Sequence, residues 1–489
     1  MTMLQVDDLG AMYLAAENDR VRTHTAVLIT VDPDGHTLTV EQLRELVRAR
    51  LDLVPAFRQR LAGVPFGLDR PYWVDGEVDL EYHVREIALP VPGDDELLRE
   101  QVARIFSRPL DRTRPLWEMY LIQGLADDRA AVLTKVHHAV ADGRSGLEIV
   151  AALTDTEPHP SCCTAPSRPS AGPAPSSTPA APSPGGSPGA ATMLLRGLAG
   201  AARQPIRALA GLPAALSGVD ELPVFGTMPG ARLLGATTAL VRRGRRHTRV
   251  PRAPRTSFNR RISRHRRIGI ASVPLDDVKQ VKNHFAVSLN DVVMAISAGA
   301  LRGWLLEHGE LPDRALTAVV PVALRGSGTH GFGNQLSAVV VPIPTDVDDP
   351  AARLGVAHRA MLSALRDLGT TAPDALTDTV RMVPAPFLLR TVQLLTRLNT
   401  WAPLTPAMNV NISNVRGPQH TLYLAGAKVV SLVPLAGITD GLGLNLTVLS
   451  YDGRLSIGVV ADRDQVPDVQ QIADRMGDEL GLLVRFAAH

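Results

Sequence analysis

The segment Lys135-Val136-His137-His138-Ala139-Val140-Ala141-Asp142-Gly143-Arg144-Ser145-Gly146 holds the residues best suited to chemistry. Histidine is the side chain whose ordinary pKa lets it take up and return a proton near neutral pH. Side chains alternate along a strand, so His137 and His138 face opposite ways and only one can enter a common cavity. Asp142, four residues past His138, can fold back across a turn to fix an imidazole tautomer or to fix the turn itself, and spacing leaves both roles open. A merely buried, satisfied histidine pair would need neither Asp142 nor Gly143. A metal site would need several converging ligands, yet adjacent strand histidines diverge and no cysteine is near, so no metal is expected.

These residues have to be positioned by a strand, a turn and a helix. Ala131–His138 reads as the strand, Asp142-Gly143 as the turn, and Leu147–Leu153 as the helix; Ser145 and Glu148 have capping-box spacing, which predicts a helix start at Ser145. The histidines then sit at the carboxyl end of a strand, where open α/β sheets place their sites. Further along, Arg267–Val273 reads as a strand, Leu275–Asn283 and Leu289–Leu306 as helices, and Leu316–Val322 as another strand. Leu444–Tyr451 and Leu455–Val460 flank Asp452-Gly453, the pairing that favours a type I′ hairpin turn. Strand and helix patterns alternate in both parts of the chain, which is an α/β pattern.

The 489 residues leave room for about three domains. Ten of the 38 prolines fall between Pro158 and Pro188, in a Pro/Ser/Ala/Gly tract that cannot pack a core and reads as a linker. Both cysteines, Cys162 and Cys163, lie at its start, which excludes a disulfide framework and argues against a catalytic thiol. Met193–Leu240 reads as short amphipathic helices broken by prolines. An arginine-rich run then extends from Arg242 to Arg267 without an acidic residue. The plain reading of that run is a solvated connector; the sharper ones are a seat for nucleotide phosphates or anionic lipid heads. Nucleic acid is not an expected partner, since 51 basic and 49 acidic residues leave a net charge of only +2. No basic segment followed by an apolar run opens the chain, and the longest apolar runs are about ten residues. A cytoplasmic protein is expected, with peripheral membrane or lipid-droplet contact through Met193–Leu240 and the basic run.

His137-His138-x-x-x-Asp142-Gly143 resembles the signature of the superfamily that includes chloramphenicol acetyltransferase, peptide-synthesis condensation domains and carnitine acyltransferases. The flanking sequence is similar to that of the bacterial wax ester synthase/diacylglycerol acyltransferase family. The resemblance is carried by Pro115-Leu116-Trp117 with its flanks, Pro55–Leu61, Pro71–Trp73, Pro254-Arg255-Thr256 with Asn259, and Ser288-Leu289-Asn290-Asp291. Asn411–Val415, Gly441–Asn445, Tyr451-Asp452-Gly453 and Asp462-Arg463 complete the series. It implies two chloramphenicol-acetyltransferase-like α/β sandwich halves, residues 1–155 and 251–489, around a tunnel and joined by a connector at 156–250. It implies acyl-CoA and an alcohol as substrates, with no cofactor. His138 would be the general base, His137 mainly structural, and Asp142 would hold the turn by ion pairing. Gly143 would leave room for substrate, and Asn290 would shape or polarise the site. Asn259, Asp291, Ser413 and Asn414 are candidate substrate-binding residues; Ser288 and Asp291 can also simply cap the following helix, and Ser413-Asn414 can be turn chemistry.

The chain departs from the family pattern in places. Where the family shows a Pro-Met-His-Val-Gly block, the same place reads Val21-Arg22-Thr23-His24-Thr25 here, with only His24 surviving; Asn259 is followed by Arg260-Arg261, and Arg416 stands where proline is usual. These changes motivate a second reading, acylation of a hydroxyl or amine of a specialised metabolite, with a carrier-bound donor as one option. A third is a non-catalytic lipid-binding protein, against which the intact histidine motif argues.

Overall fold

A computed structural model of the chain describes residues 4–32, 37–65, 69–140, 143–158, 253–323, 336–370 and 408–488. Asp142, the proline-rich tract, both cysteines, Met193–Leu240 and the basic run up to residue 252 lie outside them. In the front part the elements are β1 (Leu4–Gln5), α1 (Asp8–Ala16), β2 (His24–Asp32), α2 (Val40–Arg50), β3 (Gln59–Ala62), β4 (Tyr72–Asp75), α3 (Leu80–His83), β5 (Val84–Gly93), α4 (Asp95–Ser107), β6 (Trp117–Leu125), β7 (Ala130–His137) and α5 (Gly143–Leu153). The back part contributes β8 (Arg266–Pro274), α6 (Leu275–His284), α7 (Leu289–Glu307), β9 (Leu316–Ala323), β10 (Leu336–Ile343) and α8 (Pro350–Thr370). It continues with β11 (Val410–Arg416), β12 (Tyr423–Leu424), β13 (Ala427–Ala436), β14 (Leu444–Tyr451), β15 (Arg454–Asp462) and α9 (Val469–Ala487).

Two six-stranded mixed sheets, ordered β12-β13-β2-β7-β6-β5 and β10-β9-β11-β14-β15-β8, carry the α/β architecture expected from the sequence. β7 is central to the first: every residue of Ala130–His137 is buried, and it pairs antiparallel with β2 on one side and β6 on the other. The hairpin at Asp452-Gly453 forms as expected, with φ of 41° and 78° at its two turn residues. α7 begins at the Ser288/Asp291 capping box, and its long apolar sequence is buried in the core of the back part.

β12 and β13 leave the back part and join the front sheet, where Val433 pairs with Leu28 and Leu435 with Ala26. Two expectations need correction. The helix after the histidines starts at Gly143, two residues before the Ser145 cap. At the end of the basic run Arg255, Arg260, Arg261 and Arg264 are exposed, as a solvated connector requires, but Arg266 is not. Arg266 is buried and donates to the carbonyls of Ser263 and Arg20, Arg264 pairs with Asp19 at 2.7 Å, and Arg267 lies 3.7 Å from Glu100. Burial pulls the Arg266 guanidinium down to about 10 while nearby Asp462 opposes the shift, so it stays charged and staples the two parts together.

The sheets touch where β15 passes β13. A Cβ added to Gly458 would lie 1.9 Å from the Pro434 carbonyl oxygen, a backbone atom that cannot swing aside. Gly458→Ala is expected to cost about 3 kcal/mol of stability through overpacking, read as a lower denaturant midpoint at unchanged slope.

Candidate active site

The strand β7 ends at His137, and His138 follows it in a tight turn closed by the Val140 N–H on the His137 carbonyl at 2.9 Å. His137 is fully buried and His138 half-buried, as alternation requires of neighbours on opposite faces. The His138 ring stacks on Tyr13 with centroids 4.8 Å apart, and its backbone N–H donates to the Thr23 carbonyl at 2.8 Å. Tyr13 and Glu17 are four residues apart at the end of α1, so they come from one helix face. Tyr13 meets His138; Glu17 reaches beneath to His137. Gly10 lets the helix approach, since a Cβ there would stand 3.2 Å from the Ala139 carbonyl.

The tautomer of His137 follows from its partners. The Ala139 N–H donates to Nδ1 at 2.9 Å, so Nδ1 is an acceptor and the proton sits on Nε2. Nε2 in turn lies 2.9 Å from the Thr23 hydroxyl and 3.7 Å from Glu17 Oε2. The Glu17 carboxylate also sits 3.1 Å from His24 Nε2 and accepts from Arg112 at 2.7 Å. Burial alone would raise the Glu17 pKa, but contacts with His137 and His24 hold it far below the carboxylate range. Burial pushes His24 down to about 3 and lowers His137 too, with Glu17 opposing in both cases. Neutral imidazoles therefore surround a carboxylate whose counter-charge is Arg112.

This cluster fixes a sign for pH dependence. Unfolded His24 takes a proton as pH falls through 6.5, whereas the folded residue resists down to about 3. The unfolded chain binds more protons in that window, so stability falls with acidification. His24 alone predicts a loss of about 2 kcal/mol near pH 5 relative to pH 7, and His137 adds in the same direction. Glu17, depressed below 4.5 in the fold, withdraws its contribution only at still lower pH. Denaturant midpoints measured across this range should drop, and less steeply in His24→Gln.

The strand is braced on both faces. Lys135 is fully buried; its Nζ lies 3.0 Å from Glu118 Oε2 and donates to the Ile105 and Arg108 carbonyls at the end of α4. Burial lowers the Lys135 pKa while Glu118 opposes the shift. On the opposite face Trp117 is stacked between Phe57, at 4.1 Å, and His83, at 4.4 Å, and its indole N–H donates to the Phe57 carbonyl. The Pro115-Leu116-Trp117 block thus buttresses the histidine strand, and the Leu116 carbonyl receives the His137 N–H at 3.0 Å.

Of the back-part candidates, Asn290 and Asn414 are brought together: the Asn414 amide donates to Asn290 Oδ1 across the start of α7 and β11. Ser413 lies beside Asn414 in β11, in register with Thr447. Asp291 closes the capping box with Ser288, its Oδ2 lies 2.8 Å from His358 Nδ1, and it is buried. Asn259 is a hub within the back part. Its Nδ2 donates to the Asn409 and Gly441 carbonyls, and its Oδ1 accepts from the Thr256 hydroxyl and the Asn409 amide. Gly143 opens α5 and Asp142 lies outside the described residues. Among the described residues no group of three or more His, Cys, Asp or Glu is arranged to hold a metal ion.

Sequence reasoning missed Tyr13, Glu17 and Lys135. Lys135 carried a readable signal, a lone cation inside the apolar run Ala-Val-Leu-Thr-Lys-Val, which demands a buried partner. Tyr13 and Glu17 carried none, since the histidines they meet, His138 and His137, lie over 110 positions away.

Comparison with known proteins bears on what this arrangement does. The family model for the wax ester synthase/diacylglycerol acyltransferase catalytic domain matches residues 6–293, and that for the WS/DGAT C-terminal domain matches residues 332–483. A putative diacylglycerol O-acyltransferase of Mycobacterium tuberculosis H37Rv is 32% identical over 484 residues, covering 98% of this chain and 89% of the relative. A probable diacylglycerol O-acyltransferase of the same strain is 33% identical, covering 96% of each. The solved wax ester synthase/diacylglycerol acyltransferase from Marinobacter aquaeolei VT8 superposes with a TM-score of 0.70 at 26% identity over 100% of both chains. The first condensation domain of the calcium-dependent antibiotic synthetase shares the fold, with a TM-score of 0.54 at 15% identity over 100% of this chain and 97% of that one.

Proposed function

Because this chain belongs to the wax ester synthase/diacylglycerol acyltransferase family, we propose that it carries an acyl group from a coenzyme A thioester to the hydroxyl of a long-chain alcohol or a diacylglycerol, with His138 as general base. The observation that carries this reading is the presentation of His138: half-buried at the end of a central strand, stacked on Tyr13, with its neighbour His137 locked beneath it. An imidazole nitrogen of His138 takes the hydroxyl proton as the alcohol oxygen attacks the thioester carbonyl. The new C–O bond forms, the C–S bond breaks, and the same proton passes to the departing thiolate. Positioned proton transfer of this kind is worth about 10²–10⁴ in rate. The step uses a histidine, a thioester and a hydroxyl, and calls for no metal or redox group.

The test is thiol release from palmitoyl-CoA with hexadecanol, dioleoylglycerol or a sterol as acceptor. Release that depends on added alcohol is expected. Release that ignores the acceptor contradicts the reading, and activity confined to short or carrier-bound acyl donors would shift it to acylation of a specialised metabolite.

A further inference from the structure

Thr23 stands at one of the positions where this chain departs from its family's usual sequence, a place where a change of acceptor preference would be the natural reading. The structure puts it elsewhere. Thr23 is 5% exposed and lies under the histidine pair at the entry to β2. Its hydroxyl oxygen is 2.9 Å from His137 Nε2, which carries the ring proton, and the hydroxyl donates its own hydrogen to the Tyr13 carbonyl at 3.3 Å. Its backbone carbonyl accepts the His138 N–H at 2.8 Å. One residue therefore grips both histidines and the helix end that supplies the Tyr13 stack.

We propose that Thr23 is a positioning residue for His138, acting through the His137 tautomer and the shared turn rather than through contact with the acceptor. The inference rests on His138 being the base of the proposed reaction. His137 accepts the Ala139 N–H at Nδ1 only while its proton remains on Nε2, and that proton needs an acceptor in a buried site. The Thr23 hydroxyl is the acceptor in hydrogen-bond range, with the Glu17 carboxylate standing further off at 3.7 Å. Remove the hydroxyl and the ring either keeps an orphaned N–H or turns toward Glu17. Either movement drags on Ala139, the residue after His138. Small displacements of a catalytic group carry large rate costs.

Thr23→Val removes the hydroxyl at nearly constant volume, and Thr23→Ser restores it. Thr23→Val is expected to lower kcat by about 10- to 100-fold, equally for hexadecanol, dioleoylglycerol and a sterol, with KM for each within about twofold of wild type. Thr23→Ser should return kcat to near the wild-type value. The imidazole nitrogen signals of His137, assigned with His137→Gln in 15N-histidine-labelled protein, should report a single Nε2–H form in wild type and shift or broaden in Thr23→Val. Unchanged turnover in Thr23→Val, a change confined to the ratio among acceptors, or a fall in kcat with no change in the His137 signal overturns the proposal. Should Thr23→Val not fold, Thr23→Ala against Thr23→Ser carries the same comparison, and equal turnover of the two overturns it. Failure of the wild-type enzyme to release thiol with any acceptor would refute the acyl-transfer reading instead, while the His137 signal still reads Thr23.

Discussion

His138→Ala is expected to retain less than about a hundredth of wild-type turnover while unfolding at nearly the wild-type midpoint. The first half follows from the role assigned to the ring. Without a base the alcohol must attack while still protonated, and the lost proton transfer of about 10²–10⁴ corresponds to about 3–5 kcal/mol of barrier. The second half follows from the way the residue is held. Its backbone N–H bond to Thr23 survives truncation, the ring is only half-buried, and it follows β7 rather than belonging to it. The structural loss includes the stack on Tyr13, worth about 0.5–1.5 kcal/mol. His137→Ala is the informative contrast. It removes a fully buried ring that accepts from Ala139 and donates toward Thr23, so folding and activity should fall together.

Lys135→Met is expected to destabilise the protein by up to about 3–5 kcal/mol, the cost of leaving a buried carboxylate without its nearest cation. Glu118 is a buried residue of β6, and Lys135 Nζ is its nearest cation at 3.0 Å; Arg85 stands at 3.5 Å and the Tyr120 hydroxyl at 3.2 Å. The same substitution strips donors from the Ile105 and Arg108 carbonyls, where α4 ends and a cation is favoured. The pair fixes β7 two residues ahead of His137, so turnover should suffer as well. Adding Glu118→Leu to Lys135→Met should recover much of the stability, because two apolar side chains cost less than one stranded carboxylate. Denaturant midpoints of the two single variants and the double variant measure that coupling. Equal losses that simply add would show that the pair does not act as a unit.

Much of the local architecture was legible in the sequence, because it depends on neighbours in the chain. The helix from Leu289, the hairpin around Asp452-Gly453 and the strand ending at the histidines all rest on periodicity, caps and turn residues within a dozen positions. The pairing of β13 with β2 was not legible, because Val433 and Leu28 meet across some four hundred residues and nothing in an apolar strand names its partner. Arg266 misled for a related reason. A run of arginines looks solvated until the Arg20 carbonyl and Asp462, both some two hundred residues away or more, are known to face one of them. In the site, His137 and His138 announce themselves by type and spacing, and the Ser288/Asp291 cap by its motif. The tautomer that locks His137 comes from Thr23, Glu17 and the Ala139 amide, which only the folded chain assembles.

Acyl transfer from a coenzyme A thioester to a hydroxyl by way of His138 is tested most directly by following 13C-labelled palmitoyl-CoA with hexadecanol or dioleoylglycerol and quantifying labelled ester and free coenzyme A together. Wild-type protein should form ester and coenzyme A in equal amounts, and folded His138→Ala should form at most about a hundredth of either. Equal ester formation by the two proteins, or coenzyme A release by wild type without ester, would contradict the account.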